Sequence, residues 1–297
     1  MIIVKKHIQL LGSKNPIFEV SMKHTNFTQD ISGSGSIYFQ SWLPSDKPTA
    51  LMVVVHGFGE HSSRYGTHFA EFYTSSNIGI FSFDLPGHGK SYGKKGYIAN
   101  PSSLFKIIDL LIKQIKDEYP QTPLFLYGHS FGGEVTLWYT LVRNPLVNGV
   151  IITSPLIGPK DTVPPLKLLL AKLMDKIMPS FSLDNGINPN LLSRDAEVVE
   201  KYVNDPLVHR QISAKSGMMV INRGQWILEH AKDNRNNMLV MVGSSEGIVN
   251  KDAIDQFCRS TPNITYKIWP GFYHELHNEP EKKQIFDFSL KWLMKNI

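Results

Sequence analysis

Cysteine is almost missing from this chain. Cys258 is the only one in 297 residues, which excludes an intrachain disulfide and leaves no thiolate cluster to hold zinc. That usage fits a reducing compartment, and a cytoplasmic location is the expectation. Long hydrophobic runs are missing too: nowhere do about 18 consecutive apolar residues occur, so no transmembrane helix is expected. Residues 1–10 start apolar but are broken by Lys5, Lys6 and His7, too brief a stretch for the apolar segment of a secretion signal. Charge of one sign is not concentrated either. The formal charge is +5 with lysines scattered among acids, which argues against nucleic acid as a partner and fits weak attraction to an anionic lipid surface. There is no internal repeat, low-complexity tract or linker. Hydrophobic residues, at 42%, are plentiful enough for a sizeable core, and the length suits one α/β core carrying an insertion.

The stretch from Leu124 to Gly133 (LFLYGHSFGG) is an apolar run that breaks at glycine, presents one serine and restarts after two more glycines. It reads as strand, tight turn and helix. Gly128-x-Ser130-x-Gly132 fits a nucleophile elbow, in which a strained turn exposes the serine hydroxyl and only small neighbours let strand and helix approach. Around it the chain alternates. Residues 17–24 and 36–43 read as antiparallel edge strands, while Ala50–Val55 is a continuous aliphatic run, as expected of a parallel strand buried on both faces. Then follow a helix near 65–76, a strand at 78–83, a helix at 102–119, a strand at 123–127, the elbow, a helix at 131–143 and a strand at 149–153. After a break the sheet resumes with strands at 238–242 and 264–269, helices at about 251–260 and 280–296 closing the chain. Strands alternating with helices imply a right-handed, mostly parallel central sheet with its sites at the strands' carboxyl ends.

The break runs from 155 to 225, through Pro159, Pro164, Pro165, Pro179, Pro189 and Pro206, with helical apolar spacing. It reads as an inserted helical cap over a core made of residues 1–154 and 226–297. Within it Leu166, Leu169, Leu170, Leu173 and Ile177 form an apolar stripe, and Lys167, Lys172 and Lys176 occupy other positions. Two readings stand: an amphipathic lid that touches membrane surfaces transiently, or an ordinary cap helix packed on the core.

A serine hydroxyl is a weak nucleophile at neutral pH and needs a base within hydrogen-bond reach, itself oriented by a third group. Ser130, Glu246 and His274 follow successive strands in the order nucleophile, acid, histidine, which is the α/β-hydrolase order. Two histidines compete as base, His274 and His277; His274 is favoured because it directly follows the Pro270-Gly271 turn region. For the acid, Asp252 and Asp255 are alternatives to Glu246, but they lie on the expected helix. Phe131 N–H, just after the nucleophile, and Phe58 N–H, in the His56-Gly57-Phe58-Gly59 loop, are the expected donors to a tetrahedral oxyanion. This chemistry needs no metal and no organic cofactor.

HGFGEHSSRY (56–65), PGHGKS (86–91), GHSFGG (128–133) and NDPL (204–207) together resemble the monoacylglycerol lipases, a family that includes serine hydrolases of the lysophospholipase type. The likeness runs from about residue 36 to the C-terminus and includes Leu192-Ser193-Arg194 and Tyr202 in the cap. It implies an α/β-hydrolase fold and hydrolysis of fatty-acid glycerol monoesters by Ser130, Glu246 and His274. It also implies a polar pocket for the glycerol side at Glu60, Arg64, His129, Tyr202 and His277. Two departures stand out: the acid is Glu where the family has Asp, and Phe58 and Phe131, in place of smaller or more flexible residues, are expected to narrow the acyl entrance. The rivals are a lysophospholipase or short-chain esterase with the same machinery, and a non-catalytic binding protein on the same fold. Oligomeric state is left open.

Overall fold

The continuous aliphatic runs of the chain become strands because each has two apolar faces to bury. In a computed structural model, which describes residues 22–160 and 163–297, the first half holds β1 (Lys23–Ile31), β2 (Gly35–Leu43), β3 (Ala50–Val55), α1 (His68–Ser75), β4 (Ile78–Phe83), α2 (Ser103–Glu118), β5 (Leu124–His129), α3 (Ser130–Arg143) and β6 (Gly149–Thr153). An insertion follows, with α4 (Pro165–Ile177), β7 (Ser182–Asp184), α5 (Ala196–Asn204), β8 (Gln211–Ser213) and α6 (Ala214–Glu229). The chain then returns through β9 (Met238–Gly243), α7 (Lys251–Ser260), β10 (Ile264–Trp269) and α8 (Lys282–Lys295).

Eight strands form one sheet in the order β1-β2-β4-β3-β5-β6-β9-β10. The pairs β1–β2 and β2–β4 are antiparallel and every other pair is parallel. Because successive side chains point to opposite faces, β3 sends Leu51, Val53 and Val55 into one core and Ala50, Met52 and Val54 into the other. The first core is covered by α2, α3, α6 and α7, the second by α1 and α8. All six residues of β3 are buried, as are all six of β5 and of β9. This is the α/β-hydrolase arrangement.

The first strand differs from its expected place. It occupies Lys23–Ile31, where six of nine residues are exposed, and has no apolar face to advertise it in sequence. Its position is fixed by the register with β2, Phe27 lying opposite Phe39. Residues 17–21 of the expected strand, and residues 1–10, lie outside the described residues.

In the insertion, α4 packs against α6, but its leucine stripe is not the packed side. Leu168, Ala171, Met174 and Asp175 are half-buried, while Leu166, Leu169, Leu170, Leu173 and Ile177 are 50 to 69% exposed. The stripe faces solvent. Helix α6 runs through the expected cap boundary at residue 225, its Gly224 set so closely against Ile157 that a Cβ there would lie 2.1 Å from the carbonyl oxygen. No helix among the described residues is long and apolar enough to cross a membrane.

Candidate active site

Two glycines build the turn that carries Ser130. A Cβ on Gly128 would lie 2.5 Å from the Gly132 carbonyl oxygen, and one on Gly132 would lie 2.1 Å from that of Val55, so neither position admits a side chain. Between them Ser130 sits at φ +53°, a left-handed conformation that a non-glycine residue adopts only when its surroundings enforce it. The strain lifts Ser130 off the end of β5 and makes it the first residue of α3. Phe131 N–H is therefore one of the first-turn donors that a helix leaves without an internal partner. The hydroxyl is not open to solvent, as the elbow alone suggests: Ser130 is 8% exposed, because the insertion roofs it over.

After β9, the loop turns Glu246 back on itself. Its Oε1 accepts from Ile248 N–H at 2.8 Å and Val249 N–H at 3.2 Å, and its Oε2 lies 2.9 Å from His274 Nδ1. The extra methylene of Glu relative to Asp is thus used to span both the loop backbone and the imidazole. Burial opposes ionisation of Glu246, but His274 and the two backbone donors outweigh it and depress its pKa. For His274 burial likewise opposes charge, and Glu246 prevails over it, raising the imidazole above its ordinary value. Against an ionised carboxylate Nδ1 carries the proton, leaving Nε2 free to act as a base. Neither alternative acid competes. Asp255 is paired with Lys251 at 2.9 Å, and Asp252 is exposed on α7.

Ser130 and His274 share the wall of one cavity with Gly57, Phe58, Glu60, His129, Glu275 and Tyr202, and with the apolar side chains of Ile187, Leu192 and Ile248. Its volume is about 20 Å³, room for roughly one water. His129 holds Thr153 Oγ1 at 3.0 Å through Nδ1; burial, with His277 and His274 beside it, keeps it neutral. Arg64 and His277 stand behind the wall rather than on it. Arg64 is engaged by two carboxylates, while His277 stacks on Tyr65 at 4.8 Å and finds no partner for either ring nitrogen among the described residues. Burial pushes His277 down to about 4, so it stays uncharged near neutrality. Of the two phenylalanines only Phe58 borders the cavity; the Phe131 ring is fully buried in the core, edge-on to Phe58 at 5.3 Å.

Glu275, Ile187 and Ile248 were not singled out by sequence, and Leu192 entered only through the family resemblance. The adjacency of Glu275 to His274 is the only signal it offers; Ile187 and Ile248 come from loops with no periodic pattern. No group of three or more His, Cys, Asp or Glu side chains among the described residues is arranged to hold a metal ion.

Comparison with known proteins adds the family. A model of the family described as serine aminopeptidase, S33, matches residues 46–281. An uncharacterized abhydrolase domain-containing protein of Dictyostelium discoideum is 34% identical over 90% of this chain, although this chain spans only 28% of that protein's length. A monoglyceride lipase homolog of Monkeypox virus is 33% identical, with 88% of this chain and 95% of that protein aligned. The crystal structure of a monoacylglycerol lipase from Paleococcus ferrophilus superposes with a TM-score of 0.78 at 31% identity, covering 93% of this chain and all of that one. With its strained serine at the end of a central parallel strand and its match along most of the sequence, the chain belongs to the serine aminopeptidase S33 family of α/β hydrolases.

Proposed function

We propose that this chain is a serine hydrolase that cleaves monoacylglycerol to glycerol and a free fatty acid. The observation that carries the reading is the Glu246–His274 pair, held at 2.9 Å in the wall of the cavity that Ser130 also lines. Ser130 Oγ attacks the ester carbonyl carbon while His274 Nε2 takes its proton. The N–H groups of Phe58 and Phe131 receive the oxyanion, at a worth of roughly 3 to 4 kcal/mol for such a donor. Collapse breaks the carbonyl–alkoxide bond, and His274 returns the proton to the departing glycerol oxygen. A water then gives a proton to His274 and attacks the acyl carbonyl; the acyl–Oγ bond breaks, His274 returns the proton to Ser130 Oγ, and the fatty acid is released.

The lining divides by chemistry. Glu60, His129 and Tyr202 offer polar groups for the glycerol end, and Ile187, Leu192 and Ile248 offer apolar contact for the acyl end. Relatives of similar length named as monoglyceride lipases support the substrate class. The exposed leucine stripe of α4, flanked by the exposed Lys167, Lys172 and Lys176, supports transient contact of the cap with an anionic lipid surface, from which such a substrate is drawn.

The test is hydrolysis of a panel of monoacylglycerol, diacylglycerol and lysophosphatidylcholine by the wild type and by Ser130→Ala. Turnover is expected to be highest on monoacylglycerol and lost in the variant, along with labelling by a fluorophosphonate. Activity surviving in a clean preparation of Ser130→Ala would sink the mechanism, and a preference for the lysophospholipid would move the substrate.

A further inference from the structure

We propose that Arg64 is a positioning residue that fixes the oxyanion loop and the histidine loop relative to each other, acting through Glu60 and Glu275. The inference rests on the serine-hydrolase reading above and assigns Arg64 a role different from the glycerol contact that the family resemblance implies.

Three hydrogen bonds carry it. Arg64 Nη1 donates to Glu60 Oε2 at 2.6 Å and to Glu275 Oε1 at 2.6 Å, and Nη2 donates to Glu275 Oε2 at 2.7 Å. Glu60 passes the constraint on: its Oε1 accepts the Gly57 N–H at 2.6 Å, one residue before the Phe58 donor, and the Tyr65 hydroxyl at 3.1 Å. Glu275 is covalently next to His274. It is tied down in turn, its backbone N–H donating to the Leu192 carbonyl at 2.7 Å and its side-chain Oε2 accepting from Asn278 Nδ2 at 2.7 Å. A continuous path of hydrogen bonds thus runs from the Gly57 N–H to the Glu275 carboxylate, one residue from the Phe58 donor at one end and from His274 at the other.

The two loops follow β3 and β10, strands that β5, β6 and β9 separate in the sheet, and the Arg64 hydrogen bonds add direction to the stacking contact between them, Tyr65 on His277 at 4.8 Å. Arg64 also lies over the Tyr202 ring, 4.9 Å from its centroid, so the cap helix α5 meets the same guanidinium. Both carboxylates are 3% exposed at the side chain and Arg64 is 10% exposed. A planar guanidinium bonding a carboxylate through two nitrogens fixes direction as well as distance, which a lysine ammonium cannot do. Without it, two buried carboxylates repel across the gap that the oxyanion donors and the base must bracket. A residue recognising glycerol would present a donor to the cavity; Arg64 reaches the cavity only through Glu60 and Glu275, which line it.

The experiment compares wild type with Arg64→Lys on 4-nitrophenyl butyrate, whose leaving group has no glycerol, and on a 1-monoacylglycerol. Positioning predicts that kcat falls by the same factor on both, roughly 10- to 100-fold, as expected for small misplacements of reacting groups. KM should stay within about twofold and the rate of fluorophosphonate labelling should fall in parallel. A loss confined to the glycerol ester, a loss appearing in KM, or no loss at all overturns the proposal. Should Arg64→Lys fail to fold by circular dichroism, Glu275→Gln, which leaves Arg64 paired with Glu60, decides by the same split. Ser130→Ala, run alongside, separates the two levels: an active Ser130→Ala refutes the hydrolase reading, whereas an inactive one with an unimpaired Arg64→Lys refutes only the strap.

Discussion

Replacing Glu246 by Gln changes one atom and is expected to remove nearly all turnover. Glu246 divides its two oxygens between tasks: Oε1 accepts from the N–H groups of Ile248 and Val249 at 2.8 and 3.2 Å, and Oε2 faces His274 Nδ1 at 2.9 Å. A glutamine amide has one acceptor and one donor end. Two backbone donors fix its carbonyl on the loop side, so its NH₂ points at Nδ1. That nitrogen must then accept, the imidazole proton moves to Nε2, and Nε2 can no longer act as the proposed base for Ser130. A carboxylate-to-amide change of this kind in a serine protease costs about 10⁴ in kcat, or about 5.5 kcal/mol of transition-state stabilisation. Because the amide keeps the backbone bonds and the volume, the variant should stay folded, with its thermal midpoint lowered only by the loss of the charged pair. The assay is kcat on 4-nitrophenyl butyrate with circular dichroism as the folding control. A variant that keeps its activity to within tenfold refutes the assignment of Glu246 as the group that orients His274.

His274 must be neutral to take the Ser130 proton, and Glu246 raises it above 6.5 despite burial, so the acid limb of kcat/KM is expected above pH 6.5 in a stopped-flow or pH-stat profile; a limb below that value contradicts the electrostatics. The same pair has a stability window. The depressed Glu246 contributes above about pH 4.5 and loses its contribution as pH falls through its lowered value, whereas the raised His274 contributes fully below 6.5 and loses it as pH climbs through its raised value. Urea midpoints should therefore show the pair's largest contribution between those limits, measured as the difference between wild type and Glu246→Gln. At the cap, Leu169→Ser with Leu173→Ser should weaken co-sedimentation with anionic phospholipid vesicles by about tenfold or more while kcat on 4-nitrophenyl butyrate stays unchanged; undiminished co-sedimentation removes α4 from the lipid contact.

Strands buried on both faces were the most legible elements. Ala50–Val55, Ile78–Phe83 and Gly149–Thr153 fall where their aliphatic runs and flanking turns put them, and so does the partly exposed edge strand Ile264–Trp269. Strand β1 was displaced because a mostly polar edge strand has no face for a pattern to mark, and only pairing with β2 defines it. In α4 the amphipathic period was readable, but the period does not say which side meets the protein. There Leu168, Ala171 and Met174 face inward and the longer leucine stripe is left outside. The order of Ser130, Glu246 and His274 was visible because the elbow and the strand ends punctuate the chain. The Arg64–Glu275 contact was not, since 211 residues separate the partners and no local motif records what lies across a sheet.

The cavity above Ser130, at about 20 Å³, imposes an order on events. It cannot hold a monoacylglycerol as it stands, so the roof at Ile187, Leu192 and Tyr202 has to yield before the proposed substrate reaches Ser130. The insertion is fastened to the core at contacts such as His209 N–H on the Gly59 carbonyl and His61 on Asp205, each at 2.9 Å, and these are the bonds such an opening would strain.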